Sequence, residues 1–420
     1  MKQVNLLTDS PRRLFFHYLG PTIGSSMVTS IYILADTIMV GQGVGDAGLA
    51  ALTIFMPIVA SFFALGLLLG VGGGVLMSVA KGSGNESLAH KYFSTAMISA
   101  AVVSVCFAVF GAIFFDQMMY TLGADTTNIE LVRGYGLCYT VSAPLFIFSS
   151  SLQSFIRNDK SPRHAMIAVL TGSGLNILLE YLFIFVFKMG MFGASFATSI
   201  GTSITVCILV IHFFTKKNTM RFSFRFFSIK ALWEIAKCGF SSFLIECANA
   251  VLVFVFNHTL LKYIGSVGVT VYSIMSNVAV VCMSLFNGVT LAAQPIIATN
   301  HGADNHKRVL QVRHIGTITS SVIAVIIFCV GFFFPDLLIY SYVKGPTPEI
   351  LELARYALRI YFFAYLFMNF NIFFSGYFQS TLRPVAAITI QILRSLLLSS
   401  VLVSVLPMIF GADAIWYAVP

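Results

Sequence analysis

The chain has 420 residues, of which 58% are hydrophobic and only 10% charged, with a formal net charge of +9. Soluble chains carry about 25% charged residues, so this composition speaks against a soluble enzyme. Apolar stretches long enough to cross a hydrocarbon core of roughly 30 Å recur along the whole length, and they are continuously apolar rather than alternating, which disfavours a β-barrel.

Eleven spans are predicted, at 14–40, 50–79, 93–115, 130–156, 163–187, 192–215, 233–263, 268–298, 311–333, 350–381 and 385–410. The first is too long for a signal-peptide core and lacks a clear small-residue cleavage site, so it reads as a retained helix. The chain then reaches GADAIWYAVP, which reads as the entry to a twelfth helix, with part of that helix missing. The expected fold class is an all-α polytopic membrane protein of twelve transmembrane helices, the last truncated.

The basic residues gather in every second loop. Lys81, Lys91, Arg157, Lys160, Arg163, Lys307, Arg308 and Arg313 lie there, as does the segment KKNTMRFSFRFFSIK (216–230), and Lys2, Arg12, Arg13, Lys237 and Arg383 fall on the same side. Arg133, Lys188, Lys262, Lys344, Arg355 and Arg359 fall on the other, and Arg394 lies mid-span. This is the positive-inside pattern of a multi-pass protein of the cell membrane, with a cytoplasmic N-terminus and central loop. It accounts for the +9 without nucleic acid as a partner. The seven cysteines fall singly in or beside apolar segments with no CxxC pair, so neither zinc nor a disulfide framework is suggested.

The two halves resemble one another. GSGNESLAHK from Gly82 matches GADNHKRVLQ from Gly302, pairing Asn85 with Asn305 at an offset of 220; SFIRNDKSPRHA echoes GYFQSTLRPVAA, pairing Pro162 with Pro384 at 222. Six spans per repeat is an even number, so both halves share one orientation, with a substrate site expected between them. The expected lobes are 1–215 and 231–420, joined by a cytoplasmic linker at 216–230. The linker's basic residues could bind anionic lipid or serve as a plain connector.

Ionisable side chains at membrane depth are costly and mark function. Asp36 lies near one end of the first span. Asn176 and Glu180, spaced i,i+4 on one helix face, lie about 20 and 25 Å up the fifth, and Thr198 about 9 Å into the sixth. These oxygens suit a cation as hard ligands, or a proton shared by the two carboxyls; the alternative for Asn176 and Thr198 is a plain helix–helix hydrogen bond. The repeat sets Asp36 against Val255, Asn176 against Leu398 and Glu180 against Leu402, so the cluster exists in one half only. In the second half Glu246 lies about 20 Å into its span and Arg394 about 14 Å into its own. The two could form a structural pair or a functional one, and Glu246 could also meet a cationic substrate. Pro21 and Pro57 permit bending. Gly66, Gly70, Gly72, Gly73 and Gly74 permit close helix contact or local unwinding.

No GxxxxGK[ST], HExxH or GxSxG motif is present and no segment is large enough for a soluble catalytic domain, so the chain reads as a non-enzyme without a cofactor, driven by an ion gradient or a separate partner. ADTIMVGQGVGDAGLAALTIFMPI (35–58), GLNILLEYLFIF (174–185), FGASFATSIG (192–201), RNDKSPRHA, KGSGNESLAHKYF and AIWYAVP together resemble the multidrug and toxic compound extrusion family over essentially the whole chain. The resemblance implies two six-helix lobes and export driven by proton or sodium entry. It places Asp36, Asn176, Glu180 and Thr198 on the family's first-lobe proton or sodium site, with Glu180 where an aspartate is common. Glu246 matches a seventh-helix acid of one subfamily, whose helix-ten acid is replaced here by Asn371. The pattern leans toward the branch resembling the DNA-damage-inducible proteins. The expected activity is antiport of organic cations or amphiphiles by a monomer; the alternatives are a flippase for lipid-linked sugar, which would carry several cavity arginines, and a channel.

Overall fold

The computed structural model describes residues 4–342 and 345–418; Lys2 and Lys344, placed above on opposite sides, lie outside the described residues. The helices in chain order are α1 (Pro11–Gly43), α2 (Asp46–Gly82), α3 (Glu86–Ile113), α4 (Phe115–Thr121), α5 (Ile129–Val141), α6 (Ala143–Asn158), α7 (Pro162–Tyr181), α8 (Gly190–Ile211), α9 (Ile229–Tyr263), α10 (Ser266–Gly302), α11 (His306–Phe333), α12 (Pro335–Tyr342), α13 (Pro348–Ser380), α14 (Pro384–Gln391) and α15 (Ser399–Phe410). A π-helical turn, Leu182–Val186, extends α7, and another, Ile392–Leu398, joins α14 to α15. Among the described residues ten helical segments are long and apolar enough to cross a membrane, and α5 with α6, bent by 52°, brings the number to eleven when the pair is taken as one span. Past α15, where a twelfth span was expected to begin, Ala412–Ala418 forms a 3-10 helix with Trp416 buried.

Several helices start earlier than hydropathy suggests, because polar caps carry them beyond the apolar stretch. Asn85 accepts a hydrogen bond from the Leu88 amide at 3.0 Å, and its repeat mate Asn305 accepts one from Arg308 at 3.4 Å, each satisfying an orphan donor of the first turn. The repeat is written in the backbone as well. Both α2 and α10 run 37 residues, α3 and α11 run 28, and the left-handed turns at Gly45 (φ 88°) and Gly265 (φ 82°) stand 220 apart. That spacing sets Phe256, not Val255, opposite Asp36, and the position remains apolar. The halves differ at the fourth span. Pro144, which lacks a backbone N–H, opens α6 at a break, whereas α13 is continuous.

The two halves meet along α1, α2, α9 and α10 at the end where the linker lies. A Cβ on Gly82 would stand 2.0 Å from the Thr299 carbonyl oxygen, and one on Gly302 2.0 Å from that of Val79; the two contacts are repeat mates across a pseudo-twofold axis. Gly72 and Gly239 abut with similar closeness, and the Thr22 hydroxyl donates to the Gly288 carbonyl at 2.7 Å. The α2 glycine cluster thus serves close packing, in a helix that is not unwound. Farther along, Ser30 Oγ to the Val280 carbonyl at 3.4 Å is the last hydrogen bond between the halves among the described residues. Beyond it each half has its own apolar core.

The linker is held against the first half. Ser94 and Thr95 of α3 hydrogen-bond to the backbone of Arg221, Ser223, Phe226 and Ser228 at 3.1–3.3 Å. Asp159, fully buried at the α6–α7 turn, accepts from the Thr219 amide at 3.0 Å, from Lys81 Nζ at 2.5 Å and from His212 Nε2 at 2.9 Å. Burial alone would raise the Asp159 carboxyl, but His212, Lys81 and the Thr219 hydroxyl outweigh it and hold it below its usual range.

Candidate functional site

The first-half polar residues are brought together by a glycine contact. α7 and α8 approach so closely that a Cβ on Gly172 would lie 2.6 Å from the Gly201 carbonyl oxygen, and one on Gly201 2.7 Å from that of Gly172. Small residues at such a crossing let backbones touch. Beside it, Asn176 Nδ2 donates to Thr198 Oγ1 at 3.0 Å, and the Thr198 hydroxyl donates to the Ala194 carbonyl at 3.0 Å. Asp36 arrives from α1, which packs on α7, and its carboxyl neighbours that of Glu180. All four predicted residues are buried, Glu180 completely and Asp36 at 7% exposure.

Satisfaction is incomplete here. Asp36 Oδ1, Asn176 Oδ1 and both carboxyl oxygens of Glu180 are buried with no donor from the surrounding protein, and the two carboxyls lie within reach of a single shared proton. Buried polar atoms are almost always paired, and each exception calls for an explanation. Two adjacent carboxyls with a free amide oxygen form a set of hard oxygens suited to a proton or a monovalent cation. Among the described residues no group of three or more His, Cys, Asp or Glu offers a metal cluster.

Three tyrosines that the sequence did not flag lie in the neighbourhood of the carboxyls. Tyr32 lies one turn before Asp36, and Tyr135 and Tyr139 of α5 lie within electrostatic reach of one or both acids. They continue into an aromatic wall in which Tyr139 stacks on Phe146 at 4.1 Å and Phe55 meets Tyr135 edge-on at 5.7 Å. The available signal was the i,i+4 spacing of two tyrosines in one span, matching that of Tyr32 and Asp36.

The second half is different. Glu246 on α9, Asn371 on α13 and Arg394 in the π-helical turn are half-buried, and no hydrogen bond or ion pair joins them to one another among the described residues. The expected Glu246–Arg394 pair is therefore not formed. The Arg394 Nη1 is buried without a partner.

Comparison with known proteins agrees with this architecture. The MatE family model matches residues 21–182 and 238–405. The multidrug export protein MepA of Staphylococcus haemolyticus is 26% identical over 407 residues, covering 96% of this chain and 89% of its own length. That of Staphylococcus saprophyticus is 26% identical over 390 residues, covering 92% and 85%. Among solved structures, a multidrug resistance MATE family transporter in an outward-facing conformation superposes with a TM-score of 0.94 at 21% identity, covering 100% of this chain and 94% of the other. A MOP superfamily transporter from Pyrococcus furiosus described as having a binding pocket of reverse polarity gives 0.92 at 22%, with the same coverage. The all-helical, two-lobed fold, the duplicated frame and the match over both halves lead to one conclusion: the chain belongs to the MatE family, whose members are multi-pass membrane transporters of small molecules and not enzymes.

Proposed function

We propose that this multidrug efflux transporter expels organic cations and amphiphiles in exchange for an inward-moving proton or sodium ion. The lobes are 1–215 and 231–420, with 216–230 between them. The observation that carries the reading is the pair of buried, adjoining carboxyls, Asp36 and Glu180, with three carboxyl oxygens and the Asn176 amide oxygen given no donor by the surrounding protein. A proton or sodium ion arriving there relieves the repulsion between the acids and changes how α1 packs on α7. That moves the equilibrium only because the ion binds the two arrangements with different affinity.

The bias of Lys and Arg puts the linker end in the cytoplasm of a cell-membrane protein. The halves join at that end and part beyond Ser30 and Val280, which supports an outward-open state in a protein working as a monomer. Substrate is held in the opening between the lobes, with Glu246, Arg394 and Asn371 contributing polarity on the second-half side. Glu246 without a helix-ten acid supports the branch resembling the DNA-damage-inducible proteins.

The test is ethidium efflux from cells expressing the wild type or Asp36→Asn under separate proton and sodium gradients. Export by the wild type alone is expected, with the effective gradient naming the ion. Equal efflux by both would remove Asp36 from the mechanism. Silence from both, with the protein in the membrane, would favour a lipid flippase.

A further inference from the structure

The first half carries a concavity whose lining includes none of Asp36, Asn176, Glu180 and Thr198. It lies between α5, the bend into α6, and α8, encloses about 800 Å³, and is walled by Leu137, Val141, Leu145, Phe192, Phe196 and Ile200. The elements packed substantially against α5 and α8 all belong to the first half, so the cleft faces away from the space between the lobes. The 52° bend between α5 and α6 lies along it, where the fourth span departs from its continuous repeat mate α13.

We propose that this cleft holds one phospholipid with a zwitterionic, amine-bearing head group, drawn from the leaflet opposite the linker. Depth fits the tail. From Glu130 to Val141 the helix rises about 16 Å, close to half of a hydrocarbon core of roughly 30 Å. The chemistry of the wall fits it as well, because most of it is apolar and two of its hydroxyls have already committed their protons. Ser199 Oγ donates to the Ser195 carbonyl at 2.9 Å and Ser203 Oγ to the Ser199 carbonyl at 2.8 Å, so each can only accept from an incoming molecule. A ligand rich in acceptors would find few donors on this wall, whereas an acyl chain needs none.

The rim selects the head. Arg133 is engaged by both carboxylate oxygens of Asp116, and Glu130 stands beside it with no ion pair among the described residues. Two acids against one base leave the rim net negative. An ammonium group is drawn to Glu130, while the outward edge of Arg133, half exposed, faces the phosphate. An anionic glycerol head lacks the ammonium and meets the negative rim unfavourably.

The tail would also lie one helix away from the coupling chamber. α5 turns Leu137 and Val141 into the cleft and Tyr135 and Tyr139 toward the carboxyls, and α8 does the same with Ser199 and Thr198.

The experiment uses the full chain carrying Phe196→Trp, reconstituted in vesicles mixing brominated phosphatidylethanolamine with phosphatidylglycerol and then with the bromine on the other lipid. Trp233 and Trp416, on α9 and the terminal 3-10 helix, provide a background measured in the unsubstituted chain. The expected result is a roughly two- to five-fold preference of the reporter for the ethanolamine lipid, the range of one exposed charge pair. Glu130→Gln should remove the preference. Gly134→Leu should remove the quenching itself; a Cβ there meets nothing nearer than 3.8 Å, and a monodisperse elution profile checks that the variant folds. Equal quenching by both lipids in the reporter chain would overturn the proposal. So would a preference that survives Glu130→Gln with the protein monodisperse.

Discussion

Asp36 and Glu180 were legible in the sequence because a carboxyl inside an apolar span has no bland explanation, and Asn176 and Thr198 followed from helical spacing. Tyr32, Tyr135 and Tyr139 were not, since tyrosine is an ordinary residue of membrane helices, and only the packing of α1 on α7 and of α5 on α8 shows which rings face the acids. The Glu246–Arg394 pairing failed for a related reason: opposite charge at membrane depth does not place two side chains within reach. A buried acid facing another acid is held against its own stability, so Glu180→Gln is expected to abolish coupled efflux while raising the Tm in detergent by about 2–5 °C; a lower Tm would show that the carboxyl is internally satisfied. Asp159 behaves in the opposite sense. Its carboxyl is held below the usual range, so its contribution is present above the unfolded value near 4 and is lost as pH falls through the folded one. Asp159→Asn should cost about 2–3 kcal/mol at pH 7 by stranding Lys81 and His212. The gap between the two proteins should begin to narrow as pH falls below about 4 and keep narrowing with further acid in denaturation measurements.

At the scale of elements, the spans were readable from hydropathy alone, and their ends moved outward by a few residues, with Asn85, Asn305 and Ser228 capping three of the extended starts. Two features were hidden. The π-helical turns after Glu180 and around Arg394 leave no mark in a pattern dominated by continuous apolarity. The break at Ser142 rests on one proline, and Pro21 and Pro57 sit within helices that run on unbroken. The α7–α8 crossing depends on Gly172 and Gly201 facing each other across backbone atoms that cannot yield as a side chain can. Gly201→Ala is therefore expected to cost about 3 kcal/mol and to separate Asn176 from Thr198, weakening ion coupling along with stability. Unchanged thermal stability would mean that the crossing has room to spare.

For the whole molecule, the duplication was visible from two short matched segments, and the structure extends it to helix lengths, caps and left-handed turns. The seam was not visible, because the sequence does not say which end of a paired frame is shut. Gly82 and Gly302 close it with backbone against backbone. Gly302→Leu is expected to force the linker end apart, and Cys238, buried beside the seam, would report it. In a chain whose other cysteines are replaced, its labelling by a thiol reagent should rise by about tenfold or more. Labelling that stays slow in a folded variant would move the opening elsewhere.

The hydrogen bonds from Ser94, Thr95 and Asp159 to the linker have a mechanical consequence. A free strap of this length would let one half slide, rotate or lift away from the other. A strap fastened to α3 as far as Ser228 has no slack, so the second half can depart from the first only by tilting where α9 begins. Tyr92, donating to Glu234 at 2.5 Å, sits at that pivot. Under the proposed antiport the amplitude of the tilt would be set there, at the rim of the molecule, while the choice of when to tilt would be made deep inside, among the carboxyls.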